Sequence, residues 1–285
     1  MNGLLTAMKC EAFVALRTFS SKLIVLAPAL VVFLQFLLLR LTEAGQSARD
    51  NLLGSDSFED LVANNAYSYF VDGLSTGLTM LGLLMVAQAS YSFSFDRDTG
   101  AARHLLIRRV SRNSLITAKL IHLHILASLS VLLLIAVSYL MSELFWDFGA
   151  VVEDGFELIS ENEIRAEIAA GLRLALIPLP AAIGFGIFIS VCAQSATQAV
   201  TTALGITLAI DIFKIMLGDI AYYLYASFQP SLIDQSYLQD VSRLVRGYSD
   251  VLIDERVLEL NTWVPLPTLV LFFIATLWLL QRKKM

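Results

Sequence analysis

The chain has 285 residues, of which 57% are hydrophobic and only 16% are charged, and its mean hydropathy is +0.70. Soluble domains carry roughly 25% charged residues, so this composition excludes an ordinary soluble protein and indicates a membrane protein. The formal net charge of -5 excludes a general polyanion-binding surface, and we expect no nucleic-acid partner.

The first 22 residues are predicted to form an interfacial amphipathic helix, because apolar residues recur there at helical spacing with the charges off that stripe. Six apolar segments of about the length that crosses a bilayer follow. They predict an all-α membrane protein with six transmembrane spans at about residues 23–39, 74–93, 120–142, 174–193, 199–218 and 263–280. Pro178 and Pro180 fall inside the fourth span and should bend it.

The basic residues are concentrated in three of the segments that flank these spans. The N-terminal segment, the stretch between the second and third spans and the C-terminal tail together hold twelve of the 20 Lys and Arg residues. The connection over residues 143–167 is strongly acidic. Because Lys and Arg are retained on the cytoplasmic side, we predict a multi-pass protein of a bacterial-type cytoplasmic membrane with both termini cytoplasmic.

The stretch "FDRDTGAARHLLIRRVSRNSLITAKLI" over residues 95–121 connects the second span to the third. Gly100 interrupts the helical pattern, and a short amphipathic helix is predicted after it. Ser111 or Asn113 is a candidate N-cap for the third span. A short helix with both charge and an apolar stripe suits a cytoplasmic partner protein, although a basic loop on anionic lipid stays open on physical grounds.

This stretch resembles the first cytoplasmic loop of type-2 ATP-binding cassette (ABC) transporter permeases. That loop commonly contains an acid and a glycine, then Leu-Leu, then Pro-Val-Ser-Arg, and a lysine at the start of the next span. Arg109 replaces the usual proline here. The matching positions are Asp96, Gly100, Leu105, Leu106, Val110, Ser111, Arg112 and Lys119.

The resemblance implies a permease domain over residues 23–285 that dimerises with a second copy or a homologous permease. It implies a separate ABC ATPase partner, which would bind ATP and Mg, so that no cofactor is expected on this chain. Export is the direction that the family favours. The loop helix would act as a coupling helix, and the residues expected to carry ATPase coupling are Leu105, Leu106, Arg108, Val110 and Arg112.

Asp211 and Lys214 are charged residues within the fifth span, spaced i and i+3. Each would cost roughly 2.5–3.5 kcal/mol alone at mid-bilayer, so both are expected to face protein or water. Two roles stay open at this point. The residues form an intramembrane ion pair for stability or assembly, or they line a translocation path.

The connection over residues 219–262 is too long for a simple turn and is predicted to fold on the outer face. Within it, "LQDVSRLVRGY" has helical spacing at Leu238, Val241, Leu244 and Val245. In the resembled family, short outer helices at this point close the external end of the path. An outer partner protein for this surface and for residues 143–167 is a further expectation.

No catalytic or metal-binding motif accompanies these features. The phosphate loop, the G-x-S-x-G elbow, H-E-x-x-H and C-x-x-C are absent from the sequence. His122 and His124 point about 200° apart on a helix, so one metal ion cannot readily take both. The chain is therefore expected not to be an enzyme. Two alternatives to an ATP-driven permease stay open: a membrane scaffold or assembly component, and an ion-gradient-driven transporter or channel.

Overall fold

The computed structural model describes residues 2–53, 65–102, 110–153, 156–231, 237–246 and 255–282. Within these ranges the protein is an all-α membrane protein, which confirms the predicted fold class. Its six helical stretches that are long and apolar enough to cross a membrane are Phe19–Arg49, Ala66–Asp98, Arg112–Phe145, Glu161–Cys192, Ala196–Tyr223 and Glu255–Arg282.

The fourth and sixth stretches each combine two α-helices, and the fifth combines an α-helix with a 3-10 helix. The α-helices are α1 (Asn2–Arg17), α2 (Phe19–Leu53), α3 (Ala66–Asp98), α4 (Arg112–Phe145), α5 (Glu161–Leu176), α6 (Pro178–Cys192), α7 (Ala196–Leu217), α8 (Tyr237–Val245), α9 (Glu255–Trp263) and α10 (Pro265–Arg282). An antiparallel hairpin of β1 (Val151–Glu153) and β2 (Phe156–Ile159) lies between α4 and α5. Two short 3-10 helices, Gly218–Tyr223 and Tyr225–Phe228, follow α7.

α1 and the end of α10 lie on the same side of the helix bundle, next to the start of α4. Lys119, near the start of α4, forms an ion pair with Glu11 of α1 at 2.8 Å. Arg112, at the first position of α4, donates from Nη1 to the carbonyl oxygen of Leu280 in α10 at 2.9 Å. We call this side the terminal face and the other side the opposite face.

α2 is much longer than a bilayer requires. Its 35 residues extend over about 52 Å, whereas the hydrocarbon core is about 30 Å thick. Beyond its apolar part, at the opposite face, Glu43 accepts hydrogen bonds from Tyr69 Oη at 2.7 Å and from Trp146 Nε1 at 3.3 Å. The rings of Tyr69 and Trp146 stack with centroids 3.9 Å apart. α2 is therefore fixed to α3 and α4 beyond its apolar part.

α6 packs against α3 with the two backbones unusually close together. A Cβ atom added at Gly186 would lie 2.5 Å from Ala89 Cβ and 2.9 Å from the Val86 carbonyl oxygen. One turn further along α6, Ser190 Oγ accepts hydrogen bonds from the backbone N–H groups of Phe93 and Ser94 at 3.2 and 2.8 Å. Small residues permit such close contact between membrane helices, and most residues of α6 are buried.

The fourth membrane-crossing stretch is divided at its first proline. The sequence predicts a bent span over 174–193, whereas helical structure begins at Glu161, and α5 gives way to α6 at Pro178. Proline has no N–H to donate, so the carbonyl oxygen of Leu174, four residues earlier, loses its partner within the helix. Asn261 of α9 supplies a replacement, since its Nδ2 donates to that oxygen at 3.2 Å. The division is thus stabilised by a neighbouring helix.

A polar layer covers part of the opposite face, and α8 belongs to it. The predicted helix is confirmed; Leu238, Val241 and Val245 are buried, and Leu244 is half-buried. Tyr237 Oη donates to Glu167 of α5 at 2.5 Å. Burial, and then this hydrogen bond to a carboxylate, raise the pKa of the Tyr237 phenol above its ordinary value.

α8 is also joined to α3 by charge. Asp72 near the start of α3 accepts a hydrogen bond from Ser242 Oγ at 2.6 Å and forms an ion pair with Arg246. The apolar face of α8 and these polar contacts act together, so that the short helix is attached on two sides to the spans beneath it.

Candidate functional site

The predicted coupling segment begins where α3 ends. Thr99 caps α3, and Gly100 follows in the left-handed conformation with φ of 78°. A side chain at Gly100 would be strained there, because only glycine enters this region without a Cβ clash. Leu105, Leu106 and Arg108 lie outside the described residues, and their role in ATPase coupling stays a prediction.

The other two predicted coupling residues are engaged within the chain. Val110 is only 4% exposed and belongs to the main apolar core. Arg112 contacts the backbone of α10 through the hydrogen bond to Leu280 described above. Ser111, one of the two N-cap candidates, is the N-cap of α4 and accepts a hydrogen bond from the Ser114 N–H at 3.1 Å. In this conformation Val110 and Arg112 anchor the end of the segment to the bundle, and their predicted contact with an ATPase remains untested.

Lys119 occupies the centre of the terminal face. Its residue exposure is 3%, and its Nζ lies 2.5 Å from Asp96 Oδ2 and 2.8 Å from Glu11 Oε1. One ammonium group thereby joins α1, the end of α3 and the start of α4. Buried charges persist only when they are paired and hydrogen-bonded, so burial of Lys119 requires both carboxylates to remain in place.

The charges around Lys119 do not cancel, because two carboxylates face one ammonium group. The thiol of Cys10, beside Glu11 on α1, lies in this environment. Burial raises the pKa of the Cys10 thiol, and the negative charges of Glu11 and Asp96 raise it further while Lys119 opposes them. Glu11, Asp96 and Lys119 together carry one more negative than positive formal charge.

A second acid at the end of α3 reaches the fifth span. Asp98 Oδ2 accepts a hydrogen bond from the backbone N–H of Ala196 at 2.7 Å, at the first position of α7. A carboxylate at a helix N-terminus is favourable because it meets free N–H groups and the positive end of the helix dipole. We define the terminal-face junction as the five side chains that tie these helix ends together, namely Glu11, Asp96, Asp98, Arg112 and Lys119.

Sequence reasoning matched Asp96 and Lys119 to a family motif but did not predict that they pair with each other. It also gave no role to Glu11 or Asp98. Lys119 itself was the feature from which a pairing could have been predicted, since a positive charge at the edge of an apolar span needs an acidic partner. No pattern within the sequence identifies which acid is that partner, because the three residues come from three separate helices.

Asp211 and Lys214 meet each other near the opposite-face end of α7. Lys214 Nζ lies 2.8 Å from Asp211 Oδ1 and 3.2 Å from Ser231 Oγ, and Lys214 is 6% exposed. Asp211 and Gln229 line a cavity of about 30 Å³. This volume accommodates about one water molecule. The two charges therefore form an ion pair, while a role in a translocation path stays a proposal.

Among the described residues, no group of three or more His, Cys, Asp or Glu side chains is placed to hold a metal ion.

Six helical stretches that are long and apolar enough to cross a membrane define a multi-span membrane protein. Residues 8–282 match the family model described as "ABC-2 family transporter protein". The chain belongs to this family and is a membrane permease subunit of an ABC transporter; its partners are an ABC ATPase and the lipid bilayer, and it is not itself the ATPase. No curated protein and no solved structure matches the chain.

Proposed function

We propose that this permease exports its substrate from the cytoplasm, in a bacterial-type cytoplasmic membrane, and that its terminal face is the cytoplasmic side. Arg97, Arg112 and Arg282 lie at helix ends on the terminal face, and basic residues favour a cytoplasmic position. Two permease subunits, identical or homologous, would enclose the path. ATP and Mg would be bound by the ATPase, whose closure would be received by residues 99–111.

The observation that carries the coupling proposal is the attachment of Lys119 to both Asp96 and Glu11. Asp96 precedes the predicted coupling segment and Lys119 follows it in the chain, so the helices on either side of the segment are held by one ion-paired cluster. Asp98 and Arg112 extend the attachment to α7 and α10. A displacement of this segment would consequently move the ends of several spans together rather than bend a free loop.

Charge reversal within the segment tests the docking part of the proposal. The permease with Arg108→Glu should insert in the membrane but capture less ABC ATPase during gentle purification, with or without vanadate. The control is Arg256→Glu on α9, at the opposite face, which should leave ATPase capture unchanged. Equal capture by both variants and the wild type would refute docking at this segment.

Transmission is tested separately with spin labels on the exposed native Cys192 and on Leu16→Cys of α1, after Cys10→Ser. Vanadate trapping of the complex should shift the distance between the labels. The neutral triple variant Glu11→Gln, Asp96→Asn, Lys119→Met should retain the ATPase and lose the shift. An unchanged shift in that variant would exclude the junction as the route of transmission.

Orientation is tested by thiol labelling of intact cells with a membrane-impermeant maleimide. Leu158→Cys on the exposed β2 strand should react from outside, whereas Cys192 at the end of α6 should react only after permeabilisation. The reverse pattern would contradict the proposed cytoplasmic position of the terminal face.

A further inference from the structure

A cavity of about 340 Å³ opens beside the terminal-face junction, between the α1–α2 corner and helices α3 and α4. Its volume lies within the range of small-molecule sites, roughly 300–1,000 Å³. One part of its wall is charged or polar, with Glu11, Asp96, Lys119, His122 and Tyr91. The mechanism proposed above uses the ion pairs in this wall but not the space that they face.

The charged wall is suited to a cation. Lys119 Nζ contacts one oxygen of each carboxylate, Glu11 Oε1 and Asp96 Oδ2. Among the described residues, the second oxygens are not seen to contact another side chain, and the two side chains are only 14% and 21% exposed. Because the formal charge of these three groups is -1, an additional ammonium group would neutralise the cluster in a setting with little water.

The remaining wall is suited to an alkyl chain. Val14, Phe19, Phe95 and Leu123 line the cavity along with the polar groups. It also reaches Gln88, eight residues before Asp96 on α3, which corresponds to about 12 Å along a helix. The cavity therefore combines a charged cluster at the helix ends with apolar side chains and extends along α3, which suits an amphiphile held in one leaflet.

We propose that this cavity binds a membrane lipid with a primary ammonium headgroup, of the phosphatidylethanolamine class. The ammonium group donates to the second oxygens of Glu11 and Asp96. The hydroxyl groups of Tyr91 and Ser20 can donate to the headgroup oxygens, and one acyl chain follows the apolar wall. A bound lipid would bridge α1, α3 and α4, and would therefore stabilise the terminal-face junction.

The experiment uses the full permease with its ATPase in nanodiscs that contain equal amounts of phosphatidylethanolamine, phosphatidylcholine and phosphatidylglycerol. Native mass spectrometry after stepwise delipidation measures which lipid is retained. We expect phosphatidylethanolamine to be retained about tenfold over the other two, the effect of one charge-assisted hydrogen bond. Phosphatidylcholine is the critical comparison, because its headgroup has the same charge but no N–H donor.

Three variants separate a specific site from general lipid binding. Glu11→Gln makes the cluster neutral and should abolish the tenfold preference, whereas Glu259→Gln on exposed α9 makes the same chemical change elsewhere and should leave it intact. Ala15→Trp fills the cavity without changing its charge and should also abolish the preference. Equal retention of the three lipids by the wild type, or a preference that survives Glu11→Gln, would overturn the proposal, as would occupancy by an inorganic cation alone.

Discussion

Replacing Lys119 by methionine should strongly destabilise the permease, because the change removes the charge on which two carboxylates depend. Lys119 is 3% exposed and has both partners within 2.8 Å. Removal of one partner from a buried ion pair costs roughly 3–5 kcal/mol. Glu11 and Asp96 retain limited access to solvent, which reduces that cost, so we expect a loss of about 2–4 kcal/mol in the free energy of unfolding.

The same reasoning predicts a rescue. If the loss comes from uncompensated charge, the triple variant Glu11→Gln, Asp96→Asn, Lys119→Met should recover stability to within about 1 kcal/mol of the wild type, because neutral replacements of similar shape often match a buried ion pair. A loss that came only from the altered packing of residue 119 would persist in the triple variant.

Equilibrium unfolding of the purified permease in mixed detergent micelles measures both quantities. Lys119→Arg serves as a control that keeps the charge and changes the geometry. Its free energy of unfolding should lie between those of the wild type and Lys119→Met. A loss below about 1 kcal/mol for Lys119→Met, or no recovery in the triple variant, would refute the view that one ammonium group holds these three helices.

Three further changes should have measurable effects. Asp211→Asn removes the carboxylate beside the buried Lys214 and should cost about 2–4 kcal/mol of unfolding free energy, whereas Asp211→Asn with Lys214→Met should recover most of it. Gly186→Ala should destabilise by about 1–3 kcal/mol, because the new methyl group would meet α3 backbone atoms; Gly205→Ala, with open space around its Cβ, should be neutral or stabilising in the same assay. Asp72→Asn should release α8 from α3, and faster amide hydrogen exchange confined to α8 would reveal this. Unchanged exchange there would show that the apolar face of α8 suffices.

The number of spans and their approximate positions were predictable because membrane insertion depends on the summed hydropathy of about 20 neighbouring residues. The helix at 237–245 was predictable for a similar reason, since an amphipathic period is a local property. The start of α5 was not predicted. Residues 161–173 are polar enough to resemble a loop on hydropathy alone, although Ser160 and Glu163 form a capping box that marks a helix start.

The terminal-face junction could be predicted only in part. Asp96, Arg112 and Lys119 stood out within a recognisable loop, but their partners Glu11 and Leu280 are far away along the chain. Ion pairs between separate helices depend on how the helices pack, and one sequence contains no signal for that arrangement. The pairing of Asp211 with Lys214 was easier to predict, because residues three apart on one helix are neighbours on its surface.

The hydrogen bond from Asn261 to Leu174 bears on how freely the last span can move. Because Pro178 cannot donate to that carbonyl, separation of α9 from α5 would leave a polar group without a partner, at a cost of about 1–3 kcal/mol where no water replaces it. Such a cost permits movement but sets an energetic threshold for it. Any transport cycle that rearranges these helices must either keep this hydrogen bond or let a water molecule reach the Leu174 carbonyl oxygen. Hydration of that oxygen would therefore show whether the fourth and sixth spans move together.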